Sequence, residues 1–432
     1  MIILEFKEDF SYNSQFHGPQ SMLFGLRAPN SDSWDIMMGN KEIIDTAGAC
    51  LSPNYTRQPF ALVKGKGAYV WDADGKKYLD FVSGVAVTNL GHCHTVVSKA
   101  VQKQMTRLGH TSNLYYTDTQ TNYAKALLGK LYHGRVFFCN SGAEAVEAAM
   151  KLARLYSTEK YDKNRTEIIA FERAFHGRTM GALSLTYSKK YKNGFGPMLP
   201  GVKHVPFGDL AAVEKAVTAK TCAVIIEPVQ GEAGVFVAEV EFIHKLARFC
   251  ASRNLTLIFD EAQTGFGRTG KLFAYEHFGV KPNILTLAKA MANGFPMGAM
   301  FADEERAKYL LPGTHATTFG GGAPACAAAA ATLDVLSKAD LLANVRKLGK
   351  YMLIKLTGMK AAHKIIRDVR GIGFLVGVEL GVPGSSIVRR CAEMGLLVNC
   401  VNDNTIRLLP PLLVKKAEVD KALNILGKAL GK

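Results

Sequence analysis

Apolar and polar positions change their spacing several times along this chain. From Phe60 the stretch ALVKGKGAYVWDADGKKYLDFVSG alternates apolar with polar residues. Turn residues fall at Gly65-Lys66-Gly67 and at Asp74-Gly75, so the spacing predicts a small antiparallel sheet. Residues 41–47, 96–108 and 119–131 have helical spacing, and Leu127, Leu128 and Leu131 share one face of the last. Compact apolar runs follow at 135–139, 167–171, 221–226, 255–259, 284–287 and 297–302. Helical stretches lie between several of them, notably 141–156 and 242–253. The alternation predicts an α/β fold with a mostly parallel sheet covered by helices. Residues 323–337 are alanine-rich and predict a helix leading to a last domain. Strands are expected in VRGIGFLVGVEL and GLLVNCV, a sheet edge closed by Leu409-Pro410-Pro411, and an amphipathic helix over 419–430. No internal repeat interrupts this order.

Two run ends carry candidate chemistry. The run 255–259 ends in Asp260-Glu261, and open α/β sheets keep their sites at the carboxyl ends of strands. The run 284–287 is followed by Lys289. One strand end thus offers an anion and another an amine. Pyridoxal phosphate needs that pair: the amine forms a Schiff base with its aldehyde, and the carboxylate keeps its pyridine nitrogen protonated. The same residues also read as a helix cap and a solvated surface lysine. Upstream, a strand feeds Ser141-Gly142-Ala143 into a helix with Glu144 and Glu147 in its first turns. Free N–H groups and the positive helix end make such a turn an anion site by geometry.

Composition narrows the classes. Hydrophobic residues make up 48% and charged residues 21% of the 432, ordinary for a globular enzyme. The net charge is +16, but Lys and Arg are scattered, with no block of five and no basic strip interleaved with aromatics. A basic surface and small anionic ligands fit that pattern better than nucleic acid. The eight cysteines form no Cys-x-x-Cys pair and read as reduced, mostly buried thiols. His92-Cys93-His94 lacks metal-ligand spacing, so no metal is expected. No apolar run reaches the roughly 20 residues of a membrane span. Residues 1–37 mix Ser, Asn, Pro and Gly and carry acids that suit neither signal nor transit peptides. They predict a loosely structured extension on a cytoplasmic protein.

The stretches FCNSGAEA, FHGRT, EPVQGEAG, LIFDEAQTGFGRTG, ILTLAKA, TTFGG and IRLLPPL stand in an order that resembles the class III, fold-type I aminotransferases. The resemblance runs from about Asn54 to the C-terminus. It implies pyridoxal 5'-phosphate as cofactor. It also implies a large domain with a mostly parallel seven-stranded sheet, and a small α+β domain built from both ends of the chain. On that pattern residues 38–85 begin the small domain, 86–320 form the large domain, and 321–432 supply the connecting helix and the rest.

Residue by residue, Lys289 resembles the Schiff-base lysine and Asp260 the partner of the pyridinium nitrogen. Gln263 resembles the neighbour of the ring hydroxyl, Phe175 the stacking aromatic, and Ser141, Gly142 and Ala143 the phosphate turn. Thr318 resembles the threonine that a second subunit lends to the phosphate, which implies a homodimer with shared sites. Arg178, Thr317, Glu232 and Arg407 match substrate positions, with Glu232 as switchable partner of Arg407. Val146, Ala292-Asn293 and Gly322-Ala323 depart from the usual pattern.

Within the class, NYTRQPFALVKGKGAYVWDADGKKYLDF, NLGHCH and HTSNLYYTD are most similar to acetylornithine aminotransferases. That implies N-acetylornithine as amino donor and 2-oxoglutarate as acceptor. Ornithine and succinylated donors stay open, as does a different class III reaction that keeps the cofactor residues.

Because the extension 1–37 precedes the family-like region, a chain that begins at Met38 is expected to keep its melting temperature and activity. A fall in either would place the extension against the fold.

Overall fold

The computed structural model describes residues 38–431. The 1–37 extension expected above lies outside the described residues. The chain divides into two compact units, one ending at Ala61 and one running from Leu62. In the first, residues Asn40–Cys50 form a helix, and the Asn40 side chain accepts the Ala61 N–H at 2.8 Å.

The second unit begins with strands β1 (Leu62–Lys66), β2 (Tyr69–Asp72) and β3 (Lys77–Asp80), paired antiparallel as their alternation predicts. The next strands are β4 (Gly134–Cys139), β5 (Glu167–Phe171), β6 (Val202–Val205) and β7 (Thr221–Ile226). A two-residue hairpin follows, β8 (Val229–Gln230) with β9 (Phe236–Val237). Then come β10 (Thr256–Asp260), β11 (Ile284–Leu287) and β12 (Gly298–Asp303). Five further strands lie near the C-terminus: β13 (Ile366–Ile372), β14 (Leu375–Leu380), β15 (Leu396–Leu397), β16 (Asn399–Val401) and β17 (Thr405–Leu408).

The central sheet has seven strands in the order β4-β12-β11-β10-β7-β5-β6. Its inner strands are continuous apolar runs because both faces are covered; every residue of β7, β10 and β11 is buried. Only β12 runs antiparallel to its neighbours. Its connection from β11 is residues 288–297, too short to hold a crossover helix, and Asn293 (φ 45°) and Gly294 (φ 118°) reverse the chain there. The helix Gly142–Lys160 lies on the sheet through Ala145, Ala148, Ala149 and Leu152, all fully buried. It outlasts the expected 141–156 by one turn.

Three expectations need correction. The N-terminal sheet is not wholly antiparallel: β15, from the far end of the chain, joins β3 in parallel, pairing Leu396 with Leu79. Leu409-Pro410-Pro411 does not close a sheet edge. It follows β17, which lies inside the order β13-β14-β17-β16. The Leu409 N–H leaves that sheet for the Phe81 carbonyl at 2.7 Å. The helix predicted over 119–131 spans Asp118–Leu128, so Leu131 falls outside it.

Arg268 fastens three distant segments. It is fully buried, and its Nη1 donates to the carbonyls of Phe374 at 3.0 Å and Pro410 at 2.6 Å. Its Nη2 bonds the Asn89 side chain. Burial pulls its pKa down to about 9, against the pull of Asp80. Arg268→Met removes every donor while leaving the acceptors buried, at about 1–3 kcal/mol each. The unfolding midpoint in urea should fall by the equivalent of about 3 kcal/mol or more. Arg268→Lys should not restore it, because one ammonium cannot reach all three segments.

Candidate active site

A cavity of about 260 Å³ opens at the carboxyl ends of the central strands. Asp260, the last residue of β10, and Lys289, two residues past β11, both line it. Parallel pairing sets Asp260 against Thr286, so the amine leaves the sheet three residues beyond the carboxylate's partner. Lys289 holds φ 45°, a left-handed conformation that few residues other than glycine adopt. Such backbone persists where its surroundings over-determine it.

Asp260 is held on both oxygens. Oδ1 accepts from the Thr286 hydroxyl at 2.8 Å and from the Ala262 N–H at 3.1 Å. Oδ2 meets His176 Nδ1 at 2.8 Å, inside a fully buried contact. The His176 backbone N–H donates to Thr186 Oγ1 at 2.9 Å. His176 Nε2 has no hydrogen-bond partner among the described residues. Burial pulls the Lys289 amine below its ordinary pKa, against the opposing fields of Glu232 and Asp260. Burial, reinforced by the charge of Asp260, pushes the Glu227 carboxyl well above its usual range, and its Oε2 accepts the Phe175 N–H at 3.0 Å.

A second network borders the same cavity. Arg407, 1% exposed, donates through Nη1 to Glu232 Oε1 at 2.7 Å and to Gln263 Oε1 at 3.1 Å. Gln263 Nε2 donates to Glu232 Oε1 at 3.1 Å. Burial works against the Glu232 carboxylate, but Arg407 and Lys289 outweigh it and hold its pKa low. Gly231 makes this network possible: a Cβ there would stand 2.0 Å from Gln263 Oε1.

The helix Gly142–Lys160 points its N-terminus at the cavity, with Gly142 and Ala143 in the wall. Ser141 caps it, its hydroxyl accepting the Glu144 N–H at 3.2 Å. The first N–H groups of a helix have no partner within it and remain available to an anion. Phe175 and Arg178 complete the wall.

Of the twelve residues singled out from sequence, nine line this cavity or, as Arg407 does, bond directly to its wall: Gly142, Ala143, Phe175, Arg178, Glu232, Asp260, Gln263, Lys289 and Arg407. Ser141 stands at the cap of the helix that enters it. Thr317 and Thr318 are not brought in. Thr317 Oγ1 accepts from Asn140 Nδ2 at 3.2 Å, and Thr318 is exposed beside a separate small cavity. Sequence reasoning passed over His176, Glu227 and Thr286. Each lay inside a motif already quoted, and Thr286 is a polar residue in an otherwise apolar strand.

A family description, aminotransferase class-III, matches residues 50–430. The chain belongs to the class-III aminotransferases. A relative from Methanocaldococcus jannaschii named acetylornithine aminotransferase is 48% identical over 374 residues, covering 87% of this chain and 94% of that one. The ornithine aminotransferase structure from Toxoplasma gondii superposes with a TM-score of 0.88 at 32% identity, covering 91% of this chain and 95% of that one. The acetylornithine aminotransferase structure from Elizabethkingia anophelis gives 0.82 at 33%, covering 91% and 99%. This chain is therefore a fold-type I transaminase that depends on pyridoxal phosphate.

The residues present fit that cofactor. The helix N-terminus offers free N–H donors to a phosphate, and Lys289 Nζ has no hydrogen-bond partner among the described residues. Asp260 is a fixed, buried anion in the same wall. Borohydride treatment of the holoenzyme should fix the cofactor's mass to the peptide carrying Lys289. Lys289→Ala should abolish that label and lower turnover by several orders of magnitude. Label on another lysine would overturn the assignment.

Proposed function

We propose that this transaminase moves the δ-amino group of N-acetylornithine to 2-oxoglutarate, giving N-acetylglutamate semialdehyde and glutamate, a step of arginine biosynthesis. The carrying observation is the Arg407–Glu232 pair beside the cavity. When bound, pyridoxal phosphate supplies the electrophilic aldehyde and an electron-withdrawing ring. Gly142 and Ala143 would hold its phosphate, Phe175 its ring face, and Gln263 its ring hydroxyl. Asp260, fixed by His176, Thr286 and the Ala262 N–H, would hold a proton at the pyridine nitrogen. Lys289 Nζ, kept toward its neutral form by burial, would carry the proton removed from the substrate carbon, acting as general base and then as general acid.

The two half-reactions demand different charges. Glutamate and 2-oxoglutarate bring a second carboxylate, which Arg407 can take with its forked donors. N-acetylornithine brings an amine in that direction, and an unpaired arginine would repel it. Glu232 cancels the charge in one half-reaction and gives way in the other. Its side chain is 28% exposed while Arg407 is almost wholly buried, so Glu232 is the partner free to move. Arg178 holds the remaining carboxylate. Thr318 lies outside its own chain's cavity, which supports a homodimer in which each subunit lends that threonine to the other. We place the enzyme in the cytoplasm; among the described residues no helix is long and apolar enough to cross a membrane.

Free ornithine is the second reading, favoured by the close superposition on an ornithine aminotransferase. A panel of amino donors with 2-oxoglutarate as acceptor separates the two. The switch has its own test. Glu232→Ala should hold or improve the glutamate half-reaction and weaken the N-acetylornithine half-reaction, each followed in single turnovers through the cofactor spectrum. Stability should fall by about 3 kcal/mol, because Arg407 is left buried without its counter-charge. Equal slowing of both halves would make Glu232 a structural residue.

A further inference from the structure

Arg178 stands apart from the other arginines of the site. It is exposed and lines the cavity, yet no hydrogen bond or ion pair holds its guanidinium among the described residues. Its backbone is fixed from both sides. The Thr179 hydroxyl donates to Glu147 Oε1 at 2.6 Å, and the preceding His176 is buried on Asp260. Gly177 (φ 134°) packs so closely that a Cβ there would meet Ala143 Cβ at 2.8 Å. The root of the side chain is therefore rigid while its tip has no polar anchor.

Two rings meet that tip: Phe175, whose centroid lies 5.7 Å from the guanidinium carbon, and Tyr191, which stands much closer. The guanidinium carbon lies 3.7 Å from the centroid of the Tyr191 ring. Tyr191 sits in the short helix Lys189–Lys192 and also meets Phe175 edge-on, at 6.1 Å and 87°. The helix is tied back to the site: Lys192 Nζ donates to the Ser184 carbonyl at 3.1 Å, and the Tyr187 N–H to the Ala174 carbonyl at 2.9 Å. The Tyr191 hydroxyl makes no hydrogen bond among the described residues. Its ring, not its oxygen, is what the site uses.

Stacking suits this task better than an ion pair. A carboxylate partner would neutralise Arg178 and compete with the substrate. A ring face attracts the guanidinium and leaves every N–H donor free at the edge. An unanchored arginine loses about 2 kcal/mol of rotamer freedom when a ligand immobilises it. A stacked one has lost much of that before the ligand arrives.

We propose that Tyr191 is a positioning residue that pre-orients Arg178 for the substrate carboxylate. The proposal rests on Arg178 binding that carboxylate, and the test separates the two. The holoenzyme is titrated with glutarate, a dicarboxylate with no amine or keto group to react, in a cycle of Tyr191→Leu, Arg178→Ala and the double variant. Tyr191→Leu should raise the Kd for glutarate and the KM for N-acetylornithine by roughly fivefold to tenfold, with kcat at saturation much less affected. Tyr191→Phe should restore both constants, since it keeps the ring. In the Arg178→Ala background, Tyr191→Leu should add nothing. Fully additive losses, or a failure of Tyr191→Phe to restore binding, would overturn the positioning role while leaving Arg178 in place. An Arg178→Ala variant that binds glutarate normally would overturn the reading of Arg178, and the proposal with it.

Discussion

Burying charge around one cavity is the constraint to which the rest of this structure answers. Asp260, Glu227, Glu232, Lys289 and Arg407 all stand at or just behind the ends of the central strands. Each would be costly there alone. Three donors hold Asp260, and Arg407 has Glu232, Gln263 and Asn399. Among the described residues Lys289 has only the fields of neighbouring carboxylates, which do not overcome its burial. The outcome is an anion held fixed and an amine tilted toward its neutral, nucleophilic form. Neither property belongs to the residue type. Both follow from which groups the sheet ends bring within reach.

Much of this was legible in the sequence, for a physical reason. Strands covered on both faces read as apolar runs, so 221–226, 255–259 and 284–287 stood out. Asp260 and Lys289 stood out because they lie just past such runs. The illegible part is what depends on partners far along the chain. Nothing near Leu396 announces that it pairs with Leu79, nor anything near Leu409 that β17 is an interior strand. His176 and Thr286 orient Asp260 through space, and local pattern carries no trace of that. Tyr191 lies in a lysine-rich stretch whose local pattern gives it no mark. Thr317 and Thr318, matched by motif, stand away from the cavity of their own chain.

The parallel pairing of β15 with β3 has a consequence for the order in which the molecule can be assembled. On the ribosome, β3 emerges more than 300 residues before the strand that covers its outer edge. At the usual pace of synthesis that interval is on the order of 15 to 60 s. Throughout it the nascent hairpin β1-β2-β3 carries an unpaired flank, the kind of edge on which other chains dock. Arg268 waits through 106 further residues for Phe374 and 142 for Pro410. The β1-β2-β3 segment of this enzyme thus spends most of its translation without its final partner strand. Chaperone access and protein expressed from truncated messages should be judged against that interval.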